Sequence, residues 1–221
     1  MAPEIPKLVL ASASPRRQEL LRNAGIAFIV DPANIPELPE PGENGRACAE
    51  RLAREKARAA FRKRPHDFVL GADTVVVVDR HILGKPYDHA DAARMLRLLS
   101  GRTHQVTTGV CLIGLRTGNQ KLKTGVEDIP GFEDVRSETT LVTMSTLSEK
   151  DIHSYIGSGE PADKAGAYAI QGIASRWIPK IEGDYCNVVG LPVSLVYRML
   201  QEHGWREDKP GKIGRNAPEG G

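Results

Sequence analysis

The stretch Phe68-Val69-Leu70-Gly71-Ala72-Asp73-Thr74-Val75-Val76-Val77-Val78 constrains this chain more than any other. Its continuous, β-branched character predicts a buried strand. One carboxylate, Asp73, interrupts it. Burying an unpaired charge costs several kcal/mol, so Asp73 in a strand requires a cation, a metal or strong donors beside it. An Asp that caps a turn is the alternative this pattern leaves open.

Around that run the chain alternates strand and helix signals, which predicts an α/β fold. An apolar stretch at 7–11 is followed by Ser12-Ala13-Ser14-Pro15, a helix cap with Pro at the first helical position, so a helix is expected through Leu21. Residues 30–45 are Pro-rich and read as an irregular excursion before a helix at 45–63 whose arginine-rich face is expected to be solvated. After the run, Asp79-Arg80 turn the chain into 81–83, and a helix at 89–99 ends at Ser100-Gly101. Strands are expected at 105–115 and 137–146, with a polar hairpin loop at 117–134 between them. Ser148, with Asp151 three positions on, caps a helix to Ile156. Residues 159–190 are Gly-rich and without clear periodicity, Pro192 opens a last helix to Glu202, and 206–221 form a polar tail expected to be disordered. The reading is one domain over 1–205 plus that tail.

The charge balance excludes some classes. Thirty Lys and Arg against 28 Asp and Glu leave a net charge of +2, and aromatic residues make up 5%. That is too balanced for a nucleic-acid coat or polybasic membrane binder, and too poor in rings for base-stacking platforms. Three widely spaced cysteines, Cys48, Cys111 and Cys186, match neither a disulfide framework nor a zinc site. No run approaches the roughly 20 apolar residues of a membrane span. A soluble, cytoplasmic, unprocessed protein is expected, with no nucleic-acid or membrane partner, and a homodimer is left open.

Several other residues can carry chemistry. Ser12, Ser14, Arg16 and Arg17 lie at a helix N-terminus, which suits a phosphate, although a capped helix with exposed arginines fits the same pattern. Lys85 sits in the turn Gly84-Lys85-Pro86, and a phosphate contact or a surface lysine are equally compatible. Lys56, beside Glu55, reads by default as part of a solvated face. Gly166 and Gly172 permit close approach of backbone to a ligand. Glu182 and Asp184 are metal or water ligands, or an Asx turn. The six histidines are scattered, with His104 read as a loop residue, and no Ser-His-Asp or Cys-His arrangement emerges.

Taken together, Ala11 to Arg17, Gly71-Ala72-Asp73-Thr74, Gly84-Lys85-Pro86, Leu99 to His104 and Ala165 to Leu191 resemble the Maf family of nucleotide pyrophosphatases, in family order over about residues 7–202. The resemblance implies a mixed central sheet flanked by helices, similar to the inosine-triphosphate pyrophosphatases, with an active-site cleft. It implies hydrolysis of a nucleoside triphosphate to monophosphate and pyrophosphate with a divalent cation, Mg²⁺ or Mn²⁺. Asp73 then corresponds to the general base, Ser12, Arg16, Arg17, Lys56 and Lys85 to substrate contacts, and Thr74 and Gln171 to determinants of base choice. Glu37, Asp73 and Asp184 correspond to metal-associated acids. The block Gly166 to Gly172 is similar to the branch acting on dTTP and UTP. The 7-methyl-GTP branch and a nucleotide-binding regulator of septum formation without turnover are the alternatives.

Overall fold

The computed structural model describes residues 6–115 and 131–206. A sheet of seven strands forms its centre: β1 (Leu8–Leu10), β2 (Ile29–Val30), β3 (Phe68–Val78), β4 (His81–Leu83), β5 (Thr103–Gly114), β6 (Phe132–Thr143) and β7 (Lys180–Glu182). Their order is β2-β1-β3-β5-β6-β7, with β4 also paired to β3. β1 runs parallel to β2 and β3, and the other pairs are antiparallel, so the sheet is mixed as expected.

One helix, α2 (Gly45–Phe61), covers one face. Its buried stripe falls at Cys48, Ala49, Leu52, Ala53, Lys56, Ala57 and Ala60, the spacing of one helical face. The small residues in that stripe bring the helix axis close to the sheet. A Cβ built on Gly71 would lie 2.2 Å from Ala53 O, and one on Gly109 2.3 Å from the Ala49 backbone. The arginines opposite do more than face solvent: Arg51 donates to Glu43 at 2.9 Å, to Glu55 at 3.1 Å and to Leu38 O at 2.9 Å, and so ties the preceding loop to the helix. The other face carries α1 (Pro15–Asn23), α3 (His89–Leu99), α4 (Glu149–Gly157) and α6 (Val193–Glu202), which pack against Leu70, Ala72, Val76, Val106 and Val110.

The β3 edges place the site. One edge pairs with β5 from Val69 to Val77. The other pairs with β1 only up to Leu70 and with β4 only from Val76. Between them, β1 and β4 diverge around residues 71–75, and Asp73 lies at the centre of that gap. The turn that folds β4 back onto β3 is tight, with φ of +46° at Asp79 and +69° at Arg80.

Local signals located most elements within a few residues, including the full span of β3, the span of α3, and the α4 capping box, in which Ser148 and Asp151 cap each other. Several expectations are corrected. Ser14 makes no side-chain cap bond, and the hydroxyl that serves this turn is Ser12, whose Oγ accepts from Ser14 N. Strand β6 starts at Phe132, so residues 132–134 of the loop expected at 117–134 belong to a strand; its residues 117–130, and the tail beyond residue 206, lie outside the described residues. The segment at 159–190 contains three short 3₁₀ turns, β7 and the five-residue α5 (Tyr185–Val189), all too short for a periodicity to show.

His104 is not a loop residue. It lies in β5, 2% exposed, with Nε2 2.7 Å from Tyr168 Oη and no hydrogen-bond partner at Nδ1. Burial lowers its pKa from 6.5 to about 4. Because the folded value is depressed, the unfolded chain takes up the proton first as the pH falls, and stability is lost between about pH 6.5 and pH 4. In urea titrations at pH 7 and pH 4.5, His104→Gln should lose about 2 kcal/mol less than the parent on acidification. Equal losses would remove His104 as the cause.

Candidate active site

Strand alternation turns Gly71, Asp73 and Val75 toward α2. Lys56, one turn beyond Leu52 on the buried stripe, meets Asp73 there: its Nζ lies 2.6 Å from Asp73 Oδ1 and 2.5 Å from Glu37 Oε1. Glu37 Oε2 in turn lies 2.6 Å from Lys85 Nζ. The strand, the helix, the Pro-rich loop and the β4 exit thus form one line of alternating charge, Asp73–Lys56–Glu37–Lys85. Asp73 is 6% and Lys56 4% exposed. The solvated-face reading of Lys56 is therefore corrected, and Asp73 has the cation that its burial demands. Burial pushes the Glu37 carboxyl up, but Lys56 and Lys85 outweigh it and hold it at about 2. Cys48, which also lines this space, has its thiol pushed up to about 12 by burial and by Glu43, so it offers no thiolate.

This line runs along a cleft of about 860 Å³ walled by the start of α1, the loop at 32–39, the turn at 84–87 and the segments at 163–171 and 188–190. That volume suits a nucleotide-sized ligand.

A second network forms the cleft floor. Arg17, 8% exposed, donates through Nε to Gly190 O at 2.7 Å, through NH1 to Ser12 Oγ at 3.0 Å and through NH2 to Thr74 Oγ1 at 3.1 Å. Thr108 Oγ1 donates to Asn187 O at 3.0 Å, so in the 2.9 Å contact with Thr74 the proton comes from Thr74. The chain of donation runs from Arg17 through Thr74 and Thr108 to Asn187 O. Thr74 therefore lines the cleft with its hydroxyl held in a fixed orientation by Arg17 and Thr108. Three of the five Arg17 donors are engaged too, so Arg17 holds α1 against β3 and the Gly190 corner. Asn187, 0% exposed, completes the floor by donating from Nδ2 to Val106 O and Thr140 Oγ1, both at 2.9 Å. The sequence reading passed over it, although one Asn in the stretch Cys186-Asn187-Val188-Val189 was a signal.

Asp184 is not part of the cleft. Its Oδ1 accepts from Cys186 N at 2.6 Å and Asn187 N at 3.3 Å, as the N-cap of α5, which is the Asx-type alternative. The metal-associated acids expected from sequence thus reduce to Glu37 and Asp73. Among the described residues no group of three or more His, Cys, Asp or Glu side chains gathers.

The third wall holds Gln171, which is exposed toward the cleft and makes no hydrogen bond to another described residue. Its loop is braced from behind. Tyr155 Oη donates to Glu160 Oε1 at 2.7 Å and accepts from Ala169 N at 3.1 Å, while Glu160 Oε2 accepts from Ile173 N at 3.0 Å. Gly172 and Gly166 accordingly admit the protein's own side chains rather than a ligand: a Cβ on Gly172 would fall 2.2 Å from Glu160 Oε2, and one on Gly166 3.0 Å from Val76. At the mouth of the cleft, Arg16 and Lys164 both contact Asp163.

Known proteins are similar over this whole region. A family model described as "Maf-like protein" matches residues 7–203. A protein named dTTP/UTP pyrophosphatase from Koribacter versatilis is 56% identical over 197 residues, 89% of this chain and 94% of that one. Proteins of the same name from Syntrophomonas wolfei and Symbiobacterium thermophilum are 48% and 47% identical over 88% and 90% of this chain, and over 96% and 95% of theirs.

Proposed function

From the fact that this chain belongs to the Maf family, we propose that it is a nucleoside triphosphate pyrophosphatase that hydrolyses dTTP and UTP to the monophosphate and pyrophosphate in the cleft around Asp73. The observation that carries this reading is a buried carboxylate 2.6 Å from the Lys56 ammonium and facing a cleft lined with further cations. Water attacks the α-phosphorus as Asp73 accepts its proton, the bond to the bridging oxygen breaks, and pyrophosphate leaves. Lys56 holds the Asp73 carboxylate in place, while Lys85 and Arg16 counter charge on the phosphates. Ser12 Oγ accepts from Arg17 and Ser14 N, which leaves its proton for a phosphate oxygen.

The donor set suits a divalent cation: Glu37 and Asp73 are hard carboxylate oxygens that converge on one lysine, and two such groups together with substrate phosphates are what Mg²⁺ or Mn²⁺ takes. Such a cation would supply charge neutralisation at the phosphate oxygens.

Gln171 selects the base. Its amide donates and accepts at once, matching O4 and N3–H of uracil or thymine, and the brace of Tyr155 and Glu160 keeps it in place. With a panel of nucleotides, product analysis should find pyrophosphate and the monophosphate from dTTP and UTP. Gln171→Ala should lower kcat/KM on both by about tenfold and narrow their lead over 7-methyl-GTP. Release of orthophosphate and a diphosphate would overturn the chemistry, and faster turnover of 7-methyl-GTP the base assignment.

A further inference from the structure

Arg16 and Lys164 face each other across the cleft mouth. Arg16 is on the first turn of α1, Lys164 directly follows the 3₁₀ turn Glu160–Asp163, and both line the cleft. Asp163 bridges them, with Oδ2 3.4 Å from Arg16 NH1 and Oδ1 in contact with Lys164 Nζ. Lys164 also donates to Glu160 O at 3.3 Å.

The three side chains differ in how freely they can leave. Asp163 is 64% exposed, Arg16 27% and Lys164 14%. An exposed carboxylate gains little from its ion pairs and returns to water at small cost. Lys164 has no such exit, because its stem is enclosed and its ammonium would lose its carbonyl acceptor. The cations are thus the fixed part of this cluster, and the anion is the exchangeable part. Burial raises the Asp163 pKa, yet Lys164 and Arg16 keep it below its ordinary value, so the bridging group is an anion at neutral pH.

We infer that Arg16 and Lys164 form a clamp for the polyphosphate end of the substrate, and that Asp163 is an internal carboxylate occupying the clamp until a phosphate displaces it. This rests on the reading of the cleft as a nucleoside triphosphate site and adds Lys164 to its binding residues. A phosphate brings more oxygens and more charge than one carboxylate, so it can satisfy both cations together. The other cleft cations are held differently. Arg17 is engaged by Gly190, Ser12 and Thr74, and Lys56 and Lys85 share Glu37, which is itself half shielded at 33% exposed.

The test is calorimetric titration of the full chain with inorganic triphosphate in the presence of Mg²⁺, for the parent, Lys164→Gln, Asp163→Asn and the double variant, each checked for an unchanged thermal melt. Lys164→Gln should weaken binding about tenfold and Asp163→Asn tighten it about threefold or more. In the double variant the gain from Asp163→Asn should vanish, whereas a gain due only to removing a negative charge from the neighbourhood would persist. A Kd within about twofold of the parent for Lys164→Gln, a weaker Kd for Asp163→Asn, or a gain that survives in the double variant would overturn the clamp. Inorganic triphosphate carries no base, so failure to hydrolyse dTTP and UTP alongside these shifts would remove the functional reading and leave the clamp. Hydrolysis with an unchanged Lys164→Gln Kd would remove the clamp alone.

Discussion

Asp73→Asn should lower kcat on dTTP and UTP at least about 100-fold while binding of a non-hydrolysable analogue stays within about threefold. The substitution keeps the size and leaves an oxygen for Lys56 Nζ, now 2.6 Å from Asp73 Oδ1, and Glu37 continues to neutralise that ammonium. What disappears is the group that we propose takes the proton from the attacking water. The expected signature is a fall in kcat with KM nearly constant, read from pyrophosphate release and calorimetry of the analogue. A variant of near-normal rate would reduce Asp73 to a structural partner of Lys56.

Lys56→Met should have the largest effect on stability. Methionine fills most of the volume but leaves the 6% exposed Asp73 carboxylate without its cation and facing Glu37. Removing one partner of a buried pair costs about 3–5 kcal/mol, and the variant should also be inactive because the group that positions the Asp73 carboxylate is gone. The loss should depend on pH. In the parent, Glu37 is held at about 2, so its contribution is complete above its ordinary value near 4.5 and lost as the pH falls through about 2. In the variant Glu37 keeps Lys85 but loses Lys56, so it is held less firmly as an anion beside Asp73, and its protonation relieves the fault. The deficit measured by urea titration should therefore shrink from pH 7 to pH 5, and Lys56→Met with Asp73→Asn should recover part of it at pH 7. A deficit equal at both pH values, with no recovery in the double variant, would assign the loss to packing.

Lys56 also shows where local reading stopped. Its position at Leu52+4 and Cys48+8 placed it on the buried stripe, and that spacing was legible. The acidic neighbour and the surrounding arginines argued the other way, because sequence neighbours on a helix point in different directions. Nothing local could name its partners, since Asp73 is 17 and Glu37 19 positions away on other elements.

The sequence by itself determined the β3 span with its single carboxylate, the span of α3, the capping box of α4, and through its motifs the family. These rest on periodicity, caps and turn chemistry that act within a few residues. Only the tertiary structure decided what the polar residues do. Thr74 passes a hydrogen bond through the floor, Asp184 caps a helix, Arg17 locks Gly190 from 173 positions away, His104 is buried against Tyr168, and Glu160 fills the space beside Gly172. The Asp184 cap reaches only two and three residues along the chain, and only the fold chose it over a place in the cleft; the others depend on packing that brings distant segments within 3 Å or so, where a donor finds an acceptor whose chain position no local pattern encodes.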